Sequence, residues 1–129
     1  MDTFAYVWGV MPTILEFAGV AHPKEYQGRQ VERMRGRSLK GVLTGSARMI
    51  YGANDLVGGE TQNGKWVRQS DLKAVSVAPP YGSGNWSLYN VAEDPGETRD
   101  LAREQPETLT ELRAACDRYS IVLGMVLSI

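Results

Sequence analysis

The clearest alternation of apolar and polar positions begins at Trp86. Trp86, Leu88 and Asn90 point one way and Ser87, Tyr89 and Val91 the other, the period of two that a short strand shows. The strand runs into Asp94-Pro95-Gly96-Glu97, a tight-turn sequence. Pro95 presets φ at the first central position, and Gly96 tolerates φ > 0 at the second. After Gln105-Pro106 the period changes. Leu109, Leu112, Cys116, Tyr119 and Leu123 recur at spacings of three and four, an apolar stripe on a helix that covers one sheet face. Glu107, Glu111, Arg113, Asp117 and Arg118 fall mainly off the stripe, and acidic residues in the first turn suit the helix dipole.

Earlier in the chain, Trp66-Val67-Arg68 and the stretch from Leu72 to Val77 read as strands joined by Gln69-Ser70-Asp71, with Lys73 half-exposed. Asn63-Gly64 signals a hairpin. Gly58-Gly59 breaks the ambiguous stretch from Ala47 to Val57, and Pro79 to Gly84 is loop by composition. At the start, Phe4 to Trp8 reads as an extended segment. Pro12 suits the first turn of a helix of about two turns, which Gly19 caps and Pro23 keeps from continuing. Lys24 to Gly36 shows little periodicity and reads as loop. Ser38 then caps one helical turn, Leu39 to Leu43, closed by Gly45. The apolar tail Ile121 to Ile129 is a last strand, a helix extension or an oligomer contact. The expected fold is α+β in a single domain over residues 1–129. It has a small antiparallel sheet of three to four strands, a long C-terminal helix on one face and a short N-terminal helix.

Composition changes this picture little. The chain has 129 residues, 43% apolar and 22% charged, with a net charge of −1. That is ordinary for a globular protein and selects no partner. The balance hides an asymmetry. Lys24 to Arg48 holds seven basic and two acidic residues, whereas Glu93 to Glu111 holds seven acidic and two basic. Cys116 is the one cysteine, so no internal disulfide forms and nothing points to an oxidising compartment. No apolar run is long enough to span a membrane. Asp2 and Pro12 spoil a signal peptide. The default expectation is a cytoplasmic chain without a membrane partner.

The chemical inventory is thin. His22 is the one histidine, between Ala21 and Pro23 in a loop, and it reads as a surface residue. Cys116 reads as a buried thiol on the helix stripe. No nucleophile elbow, phosphate-binding loop or Cys-x-x-Cys motif is present. Gly82-Ser83-Gly84 and Gly58-Gly59 are turns rather than phosphate cradles. The candidate anion-binding residues are Arg33, Arg35 and Arg37 at alternate positions, with Lys40. They could line one side of an extended loop and pair with phosphate, sulfate or carboxylate. Trp8, Trp66 and Trp86 read as core aromatics rather than as stacking platforms.

These segments carry a family resemblance. Trp86-Ser87-Leu88-Tyr89-Asn90, followed by Asp94-Pro95-Gly96-Glu97 and Asp100-Leu101-Ala102, resembles the C-terminal segment of arylsulfatases. Pro12-Thr13-Ile14-Leu15, Ala18-Gly19-Val20, Gly36-Arg37-Ser38-Leu39, Leu43-Thr44-Gly45 and Arg68-Gln69-Ser70-Asp71-Leu72-Lys73 are similar to further pieces of that family, in the same order. The resemblance implies a small antiparallel sheet with a helix packed on it, behind a separate catalytic domain. It also implies where the chemistry would be. Sulfatases use a formylglycine made from a Cys/Ser-x-Pro-x-Arg motif and a divalent cation among Asp and Asn ligands. Here Cys116 is followed by Asp117-Arg118-Tyr119-Ser120, and no serine has the motif. No catalytic, metal or cofactor residue carries over, and no cofactor is expected.

The chain departs from the family in places. Gly9 replaces an Asp before the Pro-Thr helix, which leaves that helix poorly capped. Ser70 replaces a turn glycine, Leu72 replaces an aromatic, and Glu60 to Lys65 forms an altered hairpin. The expectation is a sulfatase-type C-terminal domain, inactive alone, that self-associates through Phe4 to Val10 and Ile121 to Ile129 or packs on a separate sulfatase catalytic chain. The alternative is a small anion- or nucleic-acid-binding module built on the Arg33 to Lys40 loop, with nucleic acid the less favoured ligand.

Overall fold

The computed structural model describes residues 3–61 and 64–123, with side chains up to Ile121. The chain divides into two compact units, Met1–Gly52 and Ala53–Ile129. Their described residues hold three α-helices, a two-stranded and a four-stranded antiparallel sheet, an α+β arrangement.

The second unit is a meander of β3 (Leu56–Thr61), β4 (Gly64–Gln69), β5 (Leu72–Val77) and β6 (Trp86–Asn90), under helix α3 (Pro106–Leu123). Neighbouring strands pair in sequence order. The register lines up Gly58, Val67, Ala74 and Leu88 across the sheet. Val67, Ala74 and Leu88 are each 0% exposed and lie in one cluster with Leu101, Leu112 and Cys116. Leu56, Leu72, Trp86 and Leu109 pack around it. This is the expected helix-on-sheet layer, with Leu109, Leu112 and Cys116 of the stripe in contact with it. Ala115 and Ser120 are also buried, which the stripe omitted. Ser120 tolerates burial because its hydroxyl donates to the Cys116 carbonyl at 2.9 Å. Of the tail, α3 takes Ile121 to Leu123, and 124–129 lie outside the described residues.

The expectation that Gly58-Gly59 breaks the chain is wrong: both lie inside β3. A Cβ on Gly58 would stand 3.2 Å from the Tyr119 ring, and one on Gly59 2.9 Å from the Trp66 indole nitrogen. Each glycine is where an aromatic side chain lies flat on the strand, one on each face. Thr61 pairs with Gly64 in the β3–β4 hairpin. Asn63, on which the hairpin signal rested, lies outside the described residues.

Two turns tie the sheet together. Ser70-Asp71 links β4 to β5, since Gln69 and Leu72 are already paired. Ser70 has φ 52°, the left-handed region where the related turn carries glycine. At the corner after β6 the left-handed residue is Glu97, φ 53°, and not Gly96 as expected. The turn closes with the Glu97 N–H on the Asp94 carbonyl, 3.1 Å. Glu97 Oε1 meets Lys73 Nζ on β5 at 2.5 Å, an ion pair between partly buried groups.

The corner is held by two carboxylates. Asp94 Oδ2 accepts from the Thr98 and Arg99 N–H groups at 2.7 and 2.8 Å, and Oδ1 accepts from the Thr98 hydroxyl at 3.1 Å. The Arg99 N–H leads in holding this carboxyl below the usual range; burial opposes it, and the Thr98 groups add to it. Asp100 Oδ1 accepts from the Leu88 N–H at 3.0 Å and the Ala102 N–H at 2.9 Å. Burial pushes the Asp100 carboxyl up. The Leu88 and Ala102 N–H groups, the Ser87 side chain and Arg103 outweigh it and bring it below the usual range. The next residue returns the bond, its Leu101 N–H donating to the Leu88 carbonyl at 2.8 Å.

The first unit opens with a 3-10 turn, Val7–Gly9, and α1 (Val10–Ala18). Phe4 to Trp8 is therefore not extended throughout. The turn explains why a side-chain cap is dispensable. Gly9 offers none, but the Val10 N–H already donates to the Val7 carbonyl, and Pro12 in the first turn has no N–H to satisfy. The helix ends as expected on Gly19, φ 67°, with the Gly19 N–H on Glu16 and the Val20 N–H on Leu15. The stretch from Lys24 to Gly36 is not all loop. Glu25–Tyr26 (β1) and Arg29–Gln30 (β2) pair around Gln27-Gly28, both at positive φ. That is hairpin chemistry in a segment too short and polar to show a period. The turn Lys40–Leu43 (α2) follows, and Ser38 Oγ accepts its first N–H at 3.1 Å. No helix among the described residues is long and apolar enough to cross a membrane.

Ser70→Gly should stabilise the protein by about 0.5–1 kcal/mol by removing a left-handed serine; a thermal midpoint that fails to rise would contradict the turn geometry. Asp94 and Asp100 both titrate lower folded than unfolded. Their stabilisation is therefore full above the unfolded carboxylate range and is lost as pH falls through the folded values. Asp100→Asn should lower the urea midpoint at neutral pH and flatten the acid limb below about pH 4. Identical acid limbs in the two proteins would show that Asp100 carries no such linkage.

Candidate functional site

The candidate anion-binding residues lie in the first unit, on the segment that leads into α2. Two features fix its path. Thr13, buried in α1, donates its hydroxyl to the Gly9 carbonyl at 2.6 Å and accepts the Leu39 N–H at 2.8 Å. Beside it the chain passes backbone against backbone. A Cβ on Gly36 would fall 1.8 Å from the Trp8 carbonyl oxygen, and one on Gly9 2.6 Å from the Arg37 carbonyl oxygen. Only glycines allow that crossing, which accounts for Gly9 and Gly36.

The crossing sorts the four basic residues into two pairs. Arg37 Nη1 donates to the Ile50 carbonyl at 3.2 Å, and its guanidinium lies 5.1 Å from the centre of the Tyr51 ring. Tyr51 packs in turn on Phe4, with ring centres 5.5 Å apart. Lys40 Nζ donates to the Glu16 carbonyl near the end of α1 at 3.3 Å and sits 5.3 Å from the centre of the Phe17 ring. A cation at a helix C-terminus complements the dipole. These two side chains bind the unit together. Arg33 and Arg35 are exposed, and among the described residues neither has a hydrogen-bond or ion-pair partner. The alternate spacing thus brings two of the four to one place.

That place is an open groove of about 720 Å³ whose lining includes Val7, Trp8, Val10, Met11, Ile14, Arg33 and Arg35. Its walls are mostly apolar, and among the described residues Glu32 is the one carboxylate that lines it. On the other side of Arg33 lies a second depression of about 410 Å³ with His22, Lys24 and Gln30. The sequence reading placed His22 in a surface loop and missed both this neighbourhood and the apolar groove. A signal for the groove existed. Val10, Met11, Ile14, Leu15, Phe17 and Ala18 leave α1 almost without a polar side, the mark of a helix meant to be covered all round.

Comparison with known proteins places the chain. No protein-family model matches it. Over 126 residues it is 34% identical to an uncharacterized sulfatase of Schizosaccharomyces pombe, a match that spans 97% of the chain. Over nearly its whole length the chain is similar to part of a sulfatase. It spans 23% of the length of that sulfatase, and the match agrees with the resemblance to the C-terminal segment of the family. Two solved structures share the fold. A protein in complex with its substrate D-glucosamine-2-N,6-O-disulfate gives a TM-score of 0.59 at 20% identity, over 87% of this chain and 23% of that one. A protein of glycosaminoglycan metabolism in Bacteroides thetaiotaomicron gives 0.62 at 15% identity, over 88% and 24%.

Among the described residues, none fits the formylglycine and cation that the family resemblance implies. Cys116 is 3% exposed, on the core-facing side of α3. Burial pushes its thiol up, and the Asp117 charge adds to this, so it is a poor thiolate. Among the described residues no three His, Cys, Asp or Glu side chains stand together as a metal would require. The two well-bound carboxylates, Asp94 and Asp100, spend their oxygens on backbone N–H groups of the corner.

Proposed function

We propose that this chain is a C-terminal sulfatase-type domain that does not hydrolyse sulfate esters by itself. It works as a packing module, on a separate sulfatase catalytic chain or on another copy, through Phe4 to Val10 and Ile121 to Ile129. The observation that carries the reading is the extent of the likeness: nearly all of this chain aligns with less than a quarter of a sulfatase. The missing nucleophile motif and the buried Cys116 support it. Val7, at 69% exposed, lies in the first of the two packing segments, and Ile121, at 80%, opens the second. The purified chain should show no turnover of an aryl sulfate and should self-associate at high micromolar concentration in sedimentation. Hydrolysis by the isolated chain, or a strict monomer, would overturn the corresponding half of the proposal.

Arg33 and Arg35 favour a second reading, an anion-binding module. Two guanidinium groups without partners among the described residues, Arg33 beside His22 and Lys24, suit a polyanion. On this reading Arg33→Ala with Arg35→Ala elutes from heparin at clearly lower salt than the wild type. Equal elution would exclude the module.

A further inference from the structure

We infer that the outer face of α1, together with the groove beside it, is the docking surface for the part of a sulfatase-type fold that this chain does not span. The inference rests on the sulfatase reading and names its surface. Val10, Met11, Ile14 and Phe17 follow one side of α1, and each is 50–57% exposed. The opposite side is engaged, with Thr13 buried and bonded to Leu39. Val7 and Trp8 extend the apolar strip into the groove. Single exposed apolar residues are ordinary, but six large ones gathered on one helix and its lead-in turn mark a contact surface.

The comparison supplies the occupant. The chain uses 97% of its own length to match 23% of its relative, so about three-quarters of a related polypeptide is left over to lie against it. Charge narrows the choice. Arg33 and Arg35 stand at the groove with Glu32 as the one lining carboxylate among the described residues. Under two-fold symmetry a second copy would set this excess of guanidinium against itself. The fitting partner is an apolar surface of the sulfatase remainder that brings carboxylates to Arg33 and Arg35. Self-association of the isolated chain is then what the strip does when that partner is missing.

The test is a chimera in which this chain replaces the matching segment of the Schizosaccharomyces pombe sulfatase. It is compared with the isolated chain, each with and without Met11→Asp and Ile14→Asp. The wild-type chimera should fold with one thermal transition. The double substitution should lower the chimera midpoint by more than about 5 °C and leave that of the isolated chain, held too dilute to self-associate, within about 1 °C, because both sites are uncovered there. Tyr26→Asp, at a 65% exposed hairpin residue, serves as the control and should change neither. A chimera that folds but ignores the double substitution would sink the docking surface and leave the sulfatase reading intact. A wild-type chimera that cannot fold would sink the sulfatase reading itself. Equal destabilisation of chimera and dilute isolated chain would show that α1 is covered from within, and would overturn the inference.

Discussion

The structure of the second unit depends on how the chain treats Leu88. Its side chain fills the centre of the core, in register with Val67 and Ala74 and beneath Leu112 and Cys116. Its backbone, on the border strand β6, is gripped from outside. Asp100 takes the N–H and Leu101 gives its own N–H to the carbonyl. One bond is charge-assisted, and the pair sends the Leu101 side chain into the same cluster. A single residue therefore joins sheet, corner and core. The turn Asp94-Pro95-Gly96-Glu97 exists in this form because it must deliver Asp100 and Leu101 to that point.

Much of this was legible in the residues. The alternation from Trp86 and the stripe from Leu109 each report a face buried on one side, and burial on one side is what makes a period visible. Where the deciding force was something else, the pattern failed. Gly58 and Gly59 look like a break because isolated glycines disfavour strands. Here two aromatic side chains from elsewhere lie on them, and no local window contains Tyr119 and Gly58 together. The hairpin at Gln27-Gly28 is set by two backbone angles rather than by burial. Positive φ moved from Gly96 to Glu97 because the position of the bend is dictated by the Asp94 bonds and the Lys73 contact.

The candidate site was half legible for a similar reason. Spacing put Arg33, Arg35 and Arg37 on one side of a loop, and it holds for the first two. Arg37 and Lys40 are diverted by partners distant in sequence, the Ile50 carbonyl and the end of α1. The apolar strip on α1 was passed over because a short helix with apolar residues on most sides reads as core. Sequence alone marks such a helix as wanting cover but does not say which of its sides the chain itself leaves exposed.

The grip on Leu88 also decides where this sheet can grow. With the Leu88 N–H and carbonyl taken, and the Asn90 carbonyl engaged by the Asp94 N–H, the β6 border offers little for a foreign strand to template upon. Recruitment of another molecule by strand addition is directed to the opposite border, along Leu56–Thr61. There the two glycines weaken any such ladder, and Glu60 places a charge within it.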